Sequence, residues 1–468
     1  LTVLLEVSRS LAGDKIEQAR AALEQLLAGL RPSDRFRIIA FNSVVRSFRP
    51  GFAAADAAAV REAREYLEEL QAGGSTNVEA ALEEALRPEA RAGRMSQIVF
   101  LTDGKPTVGE TSPERIADTT QKLLDGERVF AFGVGHDVNT YLLDRLSVSG
   151  HGTVSYVRPG EDVEVAVASL SRKISHPALS ELRIVDAPVQ LEDSYPSSLP
   201  DLFYGEELVL FGRYRGEGDG ELVLEGNRGS RSERLRYRVE FAGREAGNEF
   251  IPRLWAARKA GALTSEVRLH GADRELIEEI RDLGLRYGIL TEYTSYLVED
   301  PQLALRPLAV EEVVDRARAM SAPAEAQTGA EAFKRAERSN RLRQAASMDE
   351  AEKVGALGAV LDGREGSIGE RQPDQAVRHV EDRLFVFRNG MWTDIRLDPD
   401  APVIEVAPFS DAYFQLLRGV PVLKAFFALG ERVIIAGEGL TLELAPEGPG
   451  SLEPEQRAAV IRAFKVGR

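Results

Sequence analysis

The stretch LTVLLEVSRSLAGDK (Leu1–Lys15) decides the fold. From Leu1 to Val7 it is an almost continuous apolar run, the pattern of a strand buried on both faces. Beyond the run, Ile16, Ala19, Leu23, Leu26 and Leu27 recur at helical spacing, which predicts a helix over Lys15–Leu30. Between strand and helix, Glu6, Ser8 and Ser10 occupy alternate positions. Alternate residues of a near-extended segment point the same way, so three oxygen-bearing side chains can face one point.

Working outward, the same rhythm repeats. Phe36–Phe41 reads as a second strand with Val44–Phe48 as a short antiparallel neighbour, and Ala53–Leu70 and Val78–Leu86 read as helices. QIVFLTDG (Gln97–Gly104) is a strand ending in a polar turn. Helix Pro113–Leu124, strand RVFAFGVG, helix Val138–Leu146, strand TVSYV and helix Asp162–Ile174 complete the alternation. Strands alternating with helices predict an α/β fold with a doubly wound, mostly parallel sheet over residues 1–175. A β-rich domain with a helical pair is expected over 176–300, with alternation in ERLRYRVEF and a returning apolar strand in ILTEYTSYLVED. Residues 301–376, rich in Ala, Glu, Arg and Gln, read as a charged helical and flexible linker. Residues 377–468 read as a small α+β C-terminal module, with a hairpin signal at Asn389-Gly390.

The chain has 468 residues, 43% hydrophobic and 29% charged, ordinary proportions for a globular protein. Its net charge of −16 argues against nucleic acid as partner. With no cysteine, disulfides and thiolate metal sites are excluded. No apolar run approaches the ~18 residues of a spanning helix. The sequence begins without methionine, directly in a strand, and no signal peptide is visible in it.

In an open α/β sheet, ligands bind beyond the carboxyl ends of the strands where strand order reverses. Glu6–Ser10 leaves one such end and Asp103, in LTDGKP, leaves another; Thr76 lies in GGSTN, a loop ahead of a helix. Together they offer two carboxylates and three hydroxyls, a hard-oxygen set suited to Mg²⁺ or Mn²⁺. EVSRS, GGSTN and LTDGKP, in this order, resemble the metal-ion-dependent adhesion site of von Willebrand factor type A domains, over about 175 residues. The segment up to YGILTEYTSYLVED resembles bacterial relatives of the inter-alpha-trypsin inhibitor heavy chains. RLFVFRNGMWTDIRL, DAYFQLL and FALGERVII more weakly resemble the C-terminal module of the same proteins. The resemblance implies metal ligation at Ser8, Ser10, Thr76, Asp103 and Glu6. It also implies a noncatalytic role in protein binding or adhesion, a partner presenting Asp or Glu, and a location in the cell envelope or outside the cell. A β-rich domain usually precedes the type A domain in such proteins and is expected to be missing from this sequence. Two positions depart from the pattern: Glu6 replaces an aspartate, and Arg9 a frequent glycine.

Plainer roles compete for each residue. Ser8 and Ser10 could cap the helix Lys15–Leu30, although Asp14 could do so as well. Thr76 could cap Val78–Leu86 with Glu79 completing a capping box, and Asp103 could only form its Asp-Gly turn. A metal-free scaffold keeps the fold without the ion. A Mg²⁺-dependent phosphotransfer enzyme would need an aspartate nucleophile after the first strand, which Glu6-Val7-Ser8 does not offer. GVGHD (Gly133–Asp137) lacks the glycine spacing of a nucleotide loop. His136 reads as a solvated loop residue, Trp255 and Trp392 as core or interface residues rather than cofactor stackers, and the scattered histidines give no zinc pattern.

Overall fold

The computed structural model describes residues 1–87, 94–174, 177–229, 231–243, 248, 250–289, 291, 293, 327–347, 350, 377–381, 383–388, 390–398 and 400–465. The chain divides into two compact units, one comprising Leu1–Asn248, Arg268–His270 and Ser321–Asn340, the other Glu249–Val267, Gly271–Met320 and Arg341–Arg468.

The first unit is built on the strand that opens the chain. β1 (Thr2–Glu6) is buried at all five positions. Helix α1 (Asp14–Ala28) follows, then β2 (Arg35–Phe41), β3 (Val45–Ser47), β4 (Ala53–Ala54), α2 (Ala57–Glu69) and α3 (Val78–Ala85). Next come β5 (Gln97–Thr102), α4 (Pro113–Leu123), β6 (Arg128–Val134), α5 (Thr140–Ser149), β7 (Val154–Val157) and α6 (Val163–Ile174). The sheet order is β3-β2-β1-β5-β6-β7, with β4 also on β2. β1, β2, β5, β6 and β7 are parallel and β3 is antiparallel to β2. The chain therefore winds outward from β1 in both directions, and the order reverses between β1 and β5.

Strand parity explains the two-sided core. Val3, Leu5, Ile38, Val99 and Leu101 face one cluster with Leu23 of α1, Ala63 of α2 and Val167 of α6. Leu4, Ile39, Phe41, Ile98 and Phe100 face the other with Leu82 of α3, Ile116 of α4 and Leu143 of α5. A sheet covered on both faces needs apolar residues at every position, which is why these strands do not alternate.

The sandwich does not close with α6. After it, β8 (Pro177–Asp186), β9 (Gln190–Tyr195), β10 (Leu202–Phe203), β11 (Phe211–Arg215), β12 (Gly218–Arg228) and β13 (Arg231–Phe241) form a four-stranded sheet, β10-β8-β12-β13, and a two-stranded one, β11-β9. Phe203 enters the first cluster and meets Phe130 edge-on at 6.5 Å. Arg128 and Asp201, both 7% exposed, pair beside it.

Helices α7 (Phe250–His270), α8 (Arg274–Tyr287) and α9 (Ala330–Gln344) come next. Within the first unit, Phe333 and Ala336 of α9 are fully buried in the second cluster. Phe333 meets Tyr156 at 5.4 Å, and Glu337 accepts a bidentate ion pair from Arg158 with a closest contact of 2.8 Å. The Asn340 amide donates to the Val154 carbonyl at 2.8 Å. Thus a helix from the stretch expected to be a charged linker supplies core side chains to the first sheet. Most of that stretch lies outside the described residues, as does most of ILTEYTSYLVED.

The second unit ends in a mixed sheet of β14 (Val377–Val380), β15 (Arg383–Arg388), β16 (Met391–Asp394), β17 (Val403–Val406), β18 (Val433–Gly437) and β19 (Leu440–Leu444), in the order β14-β15-β16-β18-β19-β17. Helices α10 (Asp411–Gly419), α11 (Leu423–Phe427) and α12 (Pro454–Lys465) pack on it through Leu416, Leu423, Phe426 and Val460. β15 and β16 pair antiparallel across Gly390, at φ +79°, as the hairpin signal predicts. Trp392 is a core residue here, and Trp255 meets Tyr287 edge-on. Among the described residues, no helix is long and apolar enough to cross a membrane.

Candidate metal centre at the sheet's reversal point

Strand register brings the first residues together. Leu5 is level with Leu101, so the next pair, Glu6 and Thr102, lie side by side on one face at the carboxyl ends of β1 and β5. The Thr102 hydroxyl accordingly donates to Glu6 Oε2. Thr76 Oγ1 donates to Glu6 Oε1 at 2.7 Å, and the Asp103 amide to Oε2 at 3.3 Å. Both oxygens of this fully buried carboxylate are thus engaged.

The loops are tied to one another by backbone. Gly73 N donates to Val7 O at 2.9 Å and Arg9 N to Gly74 O at 3.3 Å, fastening GGSTN to the exit of β1. Gly74 has φ +82°, and a Cβ there would stand 3.1 Å from Ser43 Oγ, so glycine suits both the conformation and the space. Thr76 N donates to Thr107 Oγ1 and Thr107 N to Thr76 O, each at 2.9 Å, fastening the same loop to LTDGKPT.

The remaining donors form a chain. Ser8 Oγ and Ser10 Oγ are 2.7 Å apart, and Ser10 Oγ donates to Asp103 Oδ1 at 2.7 Å. Asp103 Oδ2 accepts from Lys15 Nζ at 2.6 Å. A Cβ built on Gly104 would lie 3.4 Å from Glu6 Oε1 and 3.8 Å from both Ser10 Oγ and Thr76 Oγ1. Oxygens from all three segments therefore surround one small space. Ser8, Thr76 and Asp103 are buried, whereas Ser10 is exposed and marks the open side.

The helix-capping roles fail on inspection. Helix α1 is capped by Gly13 with no side-chain bond, not by Ser8 or Ser10. Asn77, not Thr76, caps α3 through Ala80 N, and Glu79 accepts from Glu110 N instead of completing a capping box. Helix α2 starts at Ala57 because Asp56 caps it, so Ala53 and Ala54 are left to pair with β2. His136 is half-buried against Phe333, ring centres 5.2 Å apart, rather than solvated. Arg9 is exposed.

Burial pushes the Glu6 carboxyl above its ordinary range; bonds from the Ser8, Thr102 and Thr76 hydroxyls oppose this, and the Asp103 charge adds to it. Lys15, Thr102 and Thr107 belong to the site and escaped the sequence reading. Only Thr102 carried a legible signal, the strand parity it shares with Phe100.

Among the described residues, no group of three or more His, Cys, Asp or Glu is placed to hold a metal. Any ion here would lean on hydroxyls, and their geometry fits that use. Thr76 and Ser10 spend their protons on Glu6 and Asp103, leaving lone pairs for the space between them.

Comparison with known proteins places the first sheet. Residues 1–156 match the family profile described as von Willebrand factor type A domain. The chain carries a von Willebrand factor type A domain. It is 27% identical over 335 residues to human inter-alpha-trypsin inhibitor heavy chain H4, covering 65% of this chain and 36% of that one. It is 30% identical over 334 residues to human heavy chain H6, covering 64% and 25%. The chain thus spans about a third or less of these relatives. A von Willebrand factor type A structure from Catenulispora acidiphila matches with TM-score 0.44 and 14% identity, over 61% of this chain and 79% of that one.

Proposed function

We propose that the chain is a noncatalytic binding protein whose type A domain recognises a carboxylate of a protein partner through a divalent ion. Ser8, Ser10, Thr76 and Asp103 would hold Mg²⁺ or Mn²⁺. Glu6 would assist from below by accepting the Thr76 proton. The observation that carries this reading is the inward donation of the hydroxyl protons, with Asp103 as the direct charge. An ion held mainly by neutral oxygens stays electron-poor and takes an anionic ligand readily. The similarity to the inter-alpha-trypsin inhibitor heavy chains supports an interaction role.

Calorimetric titration of the purified chain with Mg²⁺ and Mn²⁺, followed by Asp- and Glu-containing peptides, tests both steps. Heat on metal addition and peptide binding only after it are expected. No heat and no shift in melting temperature would overturn the metal step.

One observation favours a second reading, a metal-free scaffold: the Lys15 ammonium already neutralises Asp103. Phosphotransfer finds no support, since Glu6 is fully buried and both its oxygens are engaged, so it cannot reach a substrate phosphate.

A further inference from the structure

Lys15 stands where local preference would not put a cation. It is the second residue of α1, and the first turn of a helix favours negative charge. Its ammonium reaches back over the site, 2.6 Å from Asp103 Oδ2 and 3.4 Å from the Ser10 carbonyl. The Asp103 side chain is 0% exposed and has no solvent to stabilise its charge, whereas the Lys15 side chain is 41% exposed. A buried carboxylate needs a cation; this lysine supplies one and remains free to swing outward. Gly135 lies beside its path, for a Cβ there would be 3.8 Å from Nζ. Nζ also shares one acceptor with the ion proposed above, the Asp103 carboxylate, while the Ser10 carbonyl it approaches belongs to the residue whose hydroxyl would ligate the ion.

We propose that Lys15 is an intramolecular competitor for the metal: its ammonium holds Asp103 in the metal-free chain and is expelled to the rim when a divalent ion binds. The inference rests on the site being a metal centre. Its physical content is a thermodynamic cycle. Whatever stability the Lys15–Asp103 pair lends the metal-free protein must be given up on metal binding. Removing the ammonium therefore tightens metal binding by the same factor, about fivefold for a partly exposed pair. Once expelled, the ammonium stands at the site's mouth, where an incoming carboxylate would meet it.

The test uses the full chain as wild type, Lys15→Met and Lys15→Gln, the second variant guarding against a folding defect in the first. Mn²⁺ affinity is measured by calorimetry, and melting temperature in chelator and at saturating Mn²⁺. Both variants should bind Mn²⁺ about fivefold more tightly. They should melt below wild type in chelator and level with it at saturation. Binding by the variants alone would support the inference more strongly, with Lys15 excluding the ion outright. Equal affinities, or a melting deficit that persists unchanged at saturating Mn²⁺, would make Lys15 purely structural and overturn the inference while leaving the metal centre intact. No Mn²⁺ binding by any of the three would overturn the metal centre itself, and the competitor with it.

Discussion

Phe333 offers the sharpest test of the architecture, because it lies far along the chain from the sheet it fills. Its side chain is 1% exposed, within a cluster that includes Val138, Leu142 and Tyr156. Truncation to alanine removes a ring from this packed site and leaves a cavity, at about 3–5 kcal/mol. Edge-on contacts to Tyr156 at 5.4 Å and His136 at 5.2 Å put the loss toward the upper end. Against a typical domain stability of about 5–15 kcal/mol, this is roughly a fifth or more of the whole. At ~2–4 °C per kcal/mol for a unit of this size, Phe333→Ala should lower the melting temperature by roughly 6–20 °C. Tryptophan fluorescence is the wrong probe, since Trp255 and Trp392 both belong to the other unit. Calorimetric melting combined with hydrogen exchange over residues 128–157 reads the right region. Glu331→Ala, on the same helix with a 66% exposed side chain, is the control and should stay within about 0.5 kcal/mol of wild type. If Phe333→Ala melts within about 2 °C of that control, or exchange over β6 and β7 is unchanged, α9 is not part of the core and the reasoning fails.

Three further outcomes are expected. Gly104→Ala places a methyl in the space ringed by Glu6, Ser10 and Thr76 at ordinary contact distance, so melting in chelator should be unchanged while Mn²⁺ affinity drops at least about tenfold; retained affinity would put the ion elsewhere. The Glu225 carboxyl is held below its ordinary range, first by hydrogen bonds from Arg234 and Arg183, so its contribution is present above the unfolded carboxylate range near ~4.3 and lost as pH falls through the folded value. Glu225→Gln should therefore lower melting at pH 7 and flatten its decline toward pH 3, and an identical decline would refute the assignment. Asp394, 0% exposed, accepts from Arg383 and from the Arg396 and Ala436 amides, so Asp394→Ala should destabilise the second unit by about 3–5 kcal/mol in urea titration of Trp392 fluorescence; a cost below about 1 kcal/mol would mean the network is dispensable.

How much of the molecule could be read in advance depends on how far each signal reaches along the chain. Thr2–Glu6 and Gln97–Thr102 announce themselves because a doubly covered strand must be apolar throughout, and strand ends then locate Glu6, Ser8 and Asp103 near the reversal point. The hairpin at Gly390 was legible because one glycine specifies its turn. Lys15 was not, since a lysine in a first turn reads as an ordinary surface residue until Asp103 is seen beneath it. Nor was the burial of α9: the stretch reads as a charged helix, and its apolar residues Phe333 and Ala336 only acquire meaning against Tyr156 and the half-buried His136. The 3.6-residue period discloses a helix's apolar face but not what covers it.

The bond from Asn340 to the Val154 carbonyl has a consequence beyond packing. β7 is the last strand of its sheet, and an outermost strand offers unsatisfied backbone groups to any other chain that drifts near. α9 lies along that border and answers one of its carbonyls with a side chain rather than a neighbouring strand. Peeling the helix away would bare a hydrophobic face and an open ladder together, so damage to α9 should reveal itself first as self-association of otherwise folded molecules.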